Sequence, residues 1–241
     1  DLCPTLGISI PVGKDSLSMK TSWIEGGEKK EVIAPLSLIV SAFAPVNDAR
    51  LTLTPQLRTD AGDTVLLLVD LANGKTRVGG SVLAQAYGAT GNATPDVESP
   101  AAMVRFVEQK QLLTSRAQVL AYHDRSDGGV FVTLCEMTFA SHLGLDIQLD
   151  ELHGDLLRVL FNEELGAVIQ VRKRDVQYVQ DLAHDAGLKN VHKIATINQT
   201  GMIEIFRGEE RLFSESGIEL QRIWMTSGKT TPPSSTSSRT F

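Results

Sequence analysis

The strongest constraint on the fold is a regular alternation of strand-like and helix-like segments from about residue 64 onward. Thr64–Val69 and Ala167–Val171 are short runs rich in branched apolar side chains, which is typical of strands buried on both faces. Pro100–Ser115 and Val130–His142 have helical length, and the second is apolar nearly all round, which indicates a buried helix. Interspersed strands and helices predict a mixed α/β fold, which we expect to be a two-layer sandwich.

The remaining elements predicted from Thr64 onward continue this alternation. Further strands are predicted at Val119–His123, Asp146–Leu149, Val191–Ile197, Met202–Phe206 and Glu210–Phe213. Further helices are predicted at Gly80–Tyr87, Asp155–Phe161, Arg174–Ala186 and near Trp224.

The segment before residue 56 has a different pattern. Strands are predicted at Gly7–Pro11 and Leu17–Trp23, followed by a hairpin-type turn at Glu25–Lys30. Pro35–Phe43 is almost continuously apolar, which predicts a strand buried on both faces. We therefore expect residues 1–55 to be the closing part of one α/β domain and residues 56–225 to form a second domain.

The two ends of the sequence carry predictions of their own. Residues 226–241 are rich in Ser, Thr and Pro and poor in apolar side chains, which predicts a disordered tail. The sequence begins with Asp1 rather than Met, so we expect the chain to be a piece of a longer protein.

Composition excludes several classes of function. Hydrophobic residues make up 42% of the sequence and charged residues 22%, which suits a globular chain, and the formal net charge of −6 gives no reason to expect nucleic acid as a partner. The two cysteines, Cys3 and Cys135, have no CxxC neighbour, so neither a disulfide framework nor a zinc site is expected. Cys135 is predicted to pack in the core. No apolar run approaches the length of a membrane span, and we expect a cytoplasmic protein.

The segment most suggestive of chemistry is His123-Asp-Arg-Ser-Asp-Gly-Gly129, between a predicted strand and a predicted helix. Ligands often bind at the carboxyl ends of strands in α/β folds, and a glycine turn at a helix start offers backbone N–H groups to an anion. Asp124 and Asp127 supply the hard oxygens that Mg²⁺ prefers, while Ser126 and the Gly128 backbone are suited to phosphate contact. The alternative is a simple helix N-cap.

Other segments give weaker signals. Lys14 lies in Pro11-Val-Gly-Lys-Asp-Ser16, which lacks phosphate-loop spacing but could contact a phosphate or carboxylate; a solvated hairpin edge is the alternative. His123 could orient a carboxylate or act as a base, although a hydrogen-bonded structural histidine is more common. The acidic pair in Asn162-Glu-Glu164 could belong to a ligand-binding edge, but a solvated turn is the favoured interpretation. Gly79-Gly80 could form a tight turn or a close approach to a phosphate, and the turn is favoured. No GxSxG motif or Gly-flanked Cys elbow is present, so no catalytic residue is assigned.

Taken together, several motifs resemble long-chain phosphoribosylformylglycinamidine synthase, in the order and spacing of its second synthetase half. The matching runs are Leu6-Gly-Ile-Ser-Ile-Pro-Val-Gly-Lys-Asp-Ser-Leu-Ser-Met-Lys-Thr21, Ala34-Pro-Leu-Ser-Leu-Ile-Val-Ser-Ala-Phe43, Leu53-Thr-Pro-Gln-Leu57, Leu83-Ala-Gln-Ala-Tyr87, Ala121-Tyr-His-Asp-Arg-Ser-Asp-Gly-Gly129 and Leu160-Phe-Asn-Glu-Glu-Leu-Gly166. The resemblance extends from residue 1 to about Trp224.

This resemblance implies an ATP-dependent carbon–nitrogen ligase of purine biosynthesis with glutamine as amido donor. The family converts formylglycinamide ribonucleotide, ATP and glutamine to the formylglycinamidine, ADP, phosphate and glutamate, with the amide oxygen activated as an iminophosphate. It further implies an aminoimidazole ribonucleotide synthetase-like C-terminal domain preceded by the end of its N-terminal partner. By position, Asp124 matches a Mg²⁺-binding aspartate and Ser126 a nucleotide-contacting serine, in a site that is auxiliary in long-chain members.

The sequence also departs from the family pattern. The family's other Mg²⁺ ligands, an acid and an Asn on a helix, and its glutaminase domain have no counterpart in these 241 residues. We therefore expect the chain alone to be inactive and to bind nucleotide weakly or not at all. The alternatives are a non-catalytic scaffold that docks the missing domains, and another ATP-dependent member of the same superfamily, such as selenophosphate synthetase or thiamine-phosphate kinase.

Overall fold

A computed structural model describes residues 2–14, 19–34 and 38–227. The chain divides into two compact units, 1–50 and 51–241. The division falls five residues before the expected domain boundary after residue 55. Most of the predicted disordered tail, residues 228–241, lies outside the described residues, and residues 226–227 complete the last helix.

The first unit contains a short helix, α1 (Leu2–Leu6), and an antiparallel hairpin of β1 (Lys20–Glu25) and β2 (Glu28–Ile33). Gly26 and Gly27 form the turn, with φ values of +62° and +85° that side chains other than glycine adopt only at a cost. The predicted hairpin is confirmed, although its first strand begins and ends later than expected.

The predictions of two other strands in this unit are wrong for the residues that the structure describes. Gly7–Pro11 has no regular secondary structure, and neither does 38–43, while residues 35–37 lie outside the described part. The side chains of Leu38 and Phe43 are 88% and 95% exposed instead of buried. A strand requires a neighbour for its backbone N–H and C=O groups, and no described strand pairs with either segment.

The second unit is built on a seven-stranded mixed sheet in the order β4-β6-β3-β7-β5-β8-β9. Its strands are β3 (Thr64–Asp70), β4 (Val119–Asp124), β5 (Gly144–Gln148), β6 (Gly166–Arg172), β7 (Val191–Asn198), β8 (Met202–Arg207) and β9 (Glu210–Ser216). Its helices are α2 (Val82–Ala86), α3 (Pro100–Ser115), α4 (Gly129–Ser141), α5 (Leu156–Phe161), α6 (Val176–Asp185) and α7 (Gly217–Ser227). The pairings are antiparallel except for β5 with β8, and each element lies within a few residues of its predicted position.

The sheet carries helices on both faces, so the two-layer arrangement expected from the sequence is wrong while the α/β class is confirmed. Leu66 and Leu68 of β3 point into a core shared with α4 and α5. Val65, Leu67 and Val69 point to the opposite face, into a second core shared with α3 and α6. Because successive strand side chains alternate between faces, burial on both faces explains why β3 is continuously apolar.

Two further observations bear on the sequence expectations. Among the described residues, no helix is both long enough and apolar enough to span a bilayer. Cys135 is 4% exposed in the α4 core, as predicted, and burial raises the pKa of its thiol to about 12. At neutral pH this thiol is therefore protonated and is a core side chain rather than a nucleophile.

The core assignment predicts very different effects for the same substitution at two leucines. Leu67 is fully buried in β3, so Leu67→Ala should lower the free energy of unfolding by about 2–5 kcal/mol through lost burial and a cavity. Leu157 on α5 is 48% exposed, and Leu157→Ala should change it by less than about 1 kcal/mol. Urea denaturation followed by circular dichroism measures both, and equal effects would contradict this description of the core.

Candidate functional site

The predicted site lies at one edge of the sheet, where β4 ends. Strands β3 and β4 both pair antiparallel with β6, so they run in the same direction and end, at Asp70 and Asp124, on either side of the start of β6. The segment 125–128 then turns the chain into α4. The predicted placement of this segment, between a strand and a buried helix, is confirmed.

Side chains along this turn alternate between solvent and interior. The Asp124 side chain is 68% exposed, Asp127 is exposed and Ser126 is half-buried, whereas the Arg125 side chain is only 3% exposed. The carbonyl group of Asp124, rather than its carboxylate, accepts the bond from Thr133 Oγ1 at 3.3 Å. The Asp124 carboxylate is therefore not used as a local helix cap and remains open to a ligand from solvent.

Arg125 fixes the turn to the sheet from inside. Its Nη2 donates to Asp70 Oδ1 at 2.6 Å and to the Leu165 carbonyl at 2.8 Å, and its Nε donates to the Glu164 carbonyl at 2.5 Å. Its backbone N–H donates to the Gly166 carbonyl at 2.8 Å. Asp70 Oδ2 is engaged as well, accepting the Gly74 N–H at 2.8 Å. A buried charge requires such a partner and bonds on its remaining donors.

The glycines bring the turn against the α5–β6 connection. Gly129 has a φ of +67°, and a Cβ at this position would lie 2.6 Å from the carbonyl oxygens of Leu160 and Asn162. No larger residue fits at this distance, so glycine is required for packing as well as for backbone conformation. A Cβ on Gly166 would likewise lie 2.7 Å from the Val69 carbonyl oxygen.

The Glu163 carboxylate lies at the start of α4, where the sequence predicted that the backbone would contact a phosphate. Its Oε1 accepts the Gly128 N–H at 2.9 Å and the Val82 N–H, at the start of α2, at 2.8 Å. The predicted contact of the Gly128 backbone with a nucleotide is therefore not supported, because this donor is already bonded to a carboxylate of the chain itself. Glu163 instead joins the turn to the segment that begins α2.

The interpretation of Asn162-Glu-Glu164 as a solvated turn is wrong. Glu164 is fully buried, and its carboxylate accepts bonds from Arg77 Nε at 2.6 Å, Arg77 Nη2 at 2.8 Å and the Arg77 backbone N–H at 3.0 Å. This pairing raises the pKa of the Arg77 guanidinium. Arg77 also lies 2.8 Å from Glu98. Asn162, 2% exposed, donates to two carbonyls at the end of α5.

His123 is a hydrogen-bonded structural residue, which was the more common of the two alternatives. Its Nε2 lies 2.9 Å from Glu136 Oε2 on α4, and its Nδ1 lies 2.9 Å from the Asp124 carbonyl oxygen. Beside it, burial and then the negative charge of Asp124 raise the pKa of Tyr122 to about 12. These contacts orient the end of β4.

The remaining candidates belong to other segments of the chain. Lys14 is an exposed residue of the first unit, in a stretch without regular secondary structure that precedes the undescribed residues 15–18. Gly79 and Gly80 form a tight turn, as expected: the Gly79 N–H bonds to the Ala93 carbonyl at 2.7 Å and the Gly80 N–H to the Thr90 carbonyl at 2.7 Å.

The side chains at the turn can supply part of a metal site, but not all of its ligands. Within the described ranges, no group of three or more His, Cys, Asp or Glu side chains is arranged to hold a metal ion. Asp124 offers one exposed carboxylate, and Mg²⁺ commonly combines one or two carboxylates with phosphate oxygens and water. The residues present therefore fit Mg²⁺ only as one contact to an ion carried by a phosphorylated ligand.

Two family models match the chain. A family model described as AIR synthase related protein, C-terminal domain, matches residues 60–207, and one described as FGAR-AT PurM_N-like domain matches residues 1–45. Their order along the chain confirms the family resemblance and the fold class predicted from the motifs.

Solved structures of Thermotoga maritima PurL share the fold at low sequence identity. The complex with ATP matches at a TM-score of 0.57 and 12% identity, over 71% of this chain and 27% of that one. The complex with FGAR matches at 0.57 and 13%, over 71% and 30%, and the complex with ADP at 0.56 and 12%, over 71% and 27%. The chain thus spans three tenths or less of the length of these PurL chains.

The buried ion pair generates one prediction about stability. Arg125→Met leaves Asp70 charged and unpaired in the interior, which should lower the free energy of unfolding by about 3–5 kcal/mol. The double variant Arg125→Met, Asp70→Leu removes both charges and should recover most of this loss. Urea denaturation of both variants is the measurement, and a double variant as unstable as the single one would show that the pairing is not the cause.

The Glu163 contacts generate a second prediction, about local order. In Glu163→Ala the Gly128 and Val82 amides lose their acceptor, so their hydrogen-exchange protection should fall roughly tenfold, whereas Glu163→Gln retains an acceptor oxygen and should lose less. Glu209→Ala, at an exposed turn, is the control. Unchanged exchange at both amides in Glu163→Ala would rule out this role.

Proposed function

The chain belongs to the family of AIR synthase-related C-terminal domains, and we propose that it supplies part of a magnesium–nucleotide site of a phosphoribosylformylglycinamidine synthase-type ligase. In that role it would work with synthetase and glutaminase domains in converting formylglycinamide ribonucleotide with ATP and glutamine. The cytoplasmic location expected from the sequence belongs to this proposal.

The observation that carries the proposal is the exposed Asp124 carboxylate on a turn that is otherwise fixed. Arg125, one residue along, is anchored by four hydrogen bonds to the sheet edge and to the adjoining connection, including the one from its backbone N–H. The adjacent Asp124 thus has a defined backbone position with a solvent-facing carboxylate. A carboxylate that faces solvent at a strand end has a smaller desolvation cost than a buried carboxylate. Its fixed position there is suited to a cationic ligand.

Each residue has a distinct role in the proposed site. Asp124 holds one position of Mg²⁺, and Ser126 donates its hydroxyl to a phosphate oxygen. Bound Mg²⁺ would neutralise phosphate charge and orient the nucleotide. Lys14, in the first unit, remains a sequence-based proposal for contact with a phosphate. The Gly128 N–H is left out, since Glu163 accepts its bond.

A scaffold role is the second candidate, supported by the small number of acids at the turn. One carboxylate plus solvent holds Mg²⁺ weakly, and the described residues contain no three-ligand group. On this alternative the turn contributes rigidity, through Arg125 and Glu163, to a larger assembly and binds no nucleotide.

Nucleotide titration separates the two candidates. For the partial site, Mg-ADP should bind the chain with a dissociation constant of about 1 mM or weaker and should perturb the NMR amide signals of Asp124 and Ser126 more than ADP with EDTA does. Asp124→Asn should abolish the magnesium-dependent component. The matched control Asp185→Asn, at an exposed acid at the end of α6, should retain it.

Two results would contradict the proposal. A tight stoichiometric isotherm would show that the chain carries a complete site, and perturbation confined to other parts of the chain would favour the scaffold role.

A further inference from the structure

An exposed apolar segment of the first unit, residues 38–43, has no part in the proposed nucleotide site. The side chains of Leu38, Ile39, Val40 and Phe43 are 88%, 91%, 73% and 95% exposed. Single exposed apolar side chains are ordinary on protein surfaces, but a contiguous run of them marks an interaction site. The segment therefore needs a surface that covers it.

The first unit does not supply that surface. Among its described residues none is buried, and both strands of its hairpin are exposed along their whole length. A two-stranded hairpin without a packed face is at best marginally stable in water. Because ordering a chain costs conformational entropy, this unit gains a core only by packing against another surface.

The backbone of this segment is available for strand pairing. No backbone hydrogen bond joins residues 38–43 to another described residue. Ile39, Val40 and Phe43 are of the β-branched and aromatic types that favour strands. A segment of this kind can pair with another strand through its free N–H and C=O groups.

The distribution of charge favours a second copy of the same segment as the partner. Residues 32–47 contain no charged side chain, so two copies can approach without repulsion, whereas a charged partner would find no counter-charge here. The nearest acid before the segment, Glu31, is already paired with Lys20 at 2.7 Å. Pro35 and Pro45 flank the segment and limit strand pairing to the residues between them.

We propose that two copies of this chain associate by antiparallel pairing of residues 38–43 about a two-fold axis. Such an axis makes every contact occur twice, and the pairing gives hydrogen-bond partners to the backbone groups of both copies. The contact area of one strand pair is small, which fits a weak dimer that forms only as the concentration rises.

The proposed pairing brings apolar and small side chains together. Centred on the middle of the segment, it places Leu38 opposite the partner's Phe43 and Ile39 opposite the partner's Ala42. Opposed side chains of an antiparallel pair are close enough to pack, so surface that is exposed in one copy is covered by the other.

Sedimentation equilibrium of the full chain, over a concentration range of about 5–500 μM, tests the association and should show a reversible monomer–dimer equilibrium. Val40→Lys places like charges from both copies next to the axis and should weaken association by at least about tenfold. The matched control Val46→Lys changes a valine of nearly equal exposure, 72% against 73%, beyond Pro45 and should leave association unchanged. Because both valines are exposed, both variants should keep the circular dichroism of the unaltered chain.

Disulfide cross-linking tests the direction of the pairing. In a Cys3→Ser background, an equal mixture of Leu38→Cys and Phe43→Cys chains should cross-link at least about fivefold faster than either variant alone, because opposed residues lie within disulfide reach. Cys135 is buried and does not compete.

The proposal fails if the chain stays monomeric over this range, whether or not the segment then binds lipid vesicles or another polypeptide. It also fails if Val40→Lys associates as the unaltered chain does, or if Val46→Lys weakens association equally. Either cysteine variant alone cross-linking as fast as the mixture would exclude the antiparallel contact. None of these measurements involves magnesium or nucleotide, so their failure is distinct from a failure of the proposed function.

Discussion

The buried pair of Arg125 and Asp70 is the interaction on which this edge of the sheet depends. It joins the end of β3 to the residue after β4 across the intervening strand β6, whose start also supplies carbonyl acceptors. A buried ion pair contributes little net stability compared with apolar packing, but breaking it is costly. Its structural result is that the chain leaves β4 along one defined path, with Asp124 and Ser126 on the outer side.

A second charged network supports the same region from the adjacent connection. Glu164 and Arg77 join the start of β6 to the segment before α2, and Glu163 joins that segment to the start of α4. These two consecutive acids have different environments, one fully buried and one half-buried, although they look alike in the sequence. The network places three separate chain segments around one turn and converts loops into a fixed surface.

The sequence predicted most of the second unit because the signals there are local. Branched apolar runs such as Thr64–Val69 indicate strands, and the length and apolar character of Val130–His142 indicate a buried helix. The burial of Glu164 was not predictable in this way, because its partner Arg77 is 87 residues away and nothing in the spacing of either residue points to the other. The sequence contained only a weak indication that Arg125 is buried and paired: it is a cationic residue close to Asp124 and Asp127, just after a buried strand. The prediction failed at the described residues 38–43 for the opposite reason: an apolar run specifies a strand only when another strand lies beside it.

The order of strands in the sheet has a consequence for the way the site is made. Strand β4 lies at the sheet edge and pairs with β6, which follows it by more than forty residues, while β6 pairs in turn with the much earlier β3. During synthesis the 124–129 segment emerges after Asp70 but well before Glu163 and the carbonyls of residues 164–166 that will also hold it. The ordering of this segment therefore requires non-local contacts and the loop-closure entropy that they cost, and the exposed aspartate has its fixed position only in a chain whose β6 has joined the sheet.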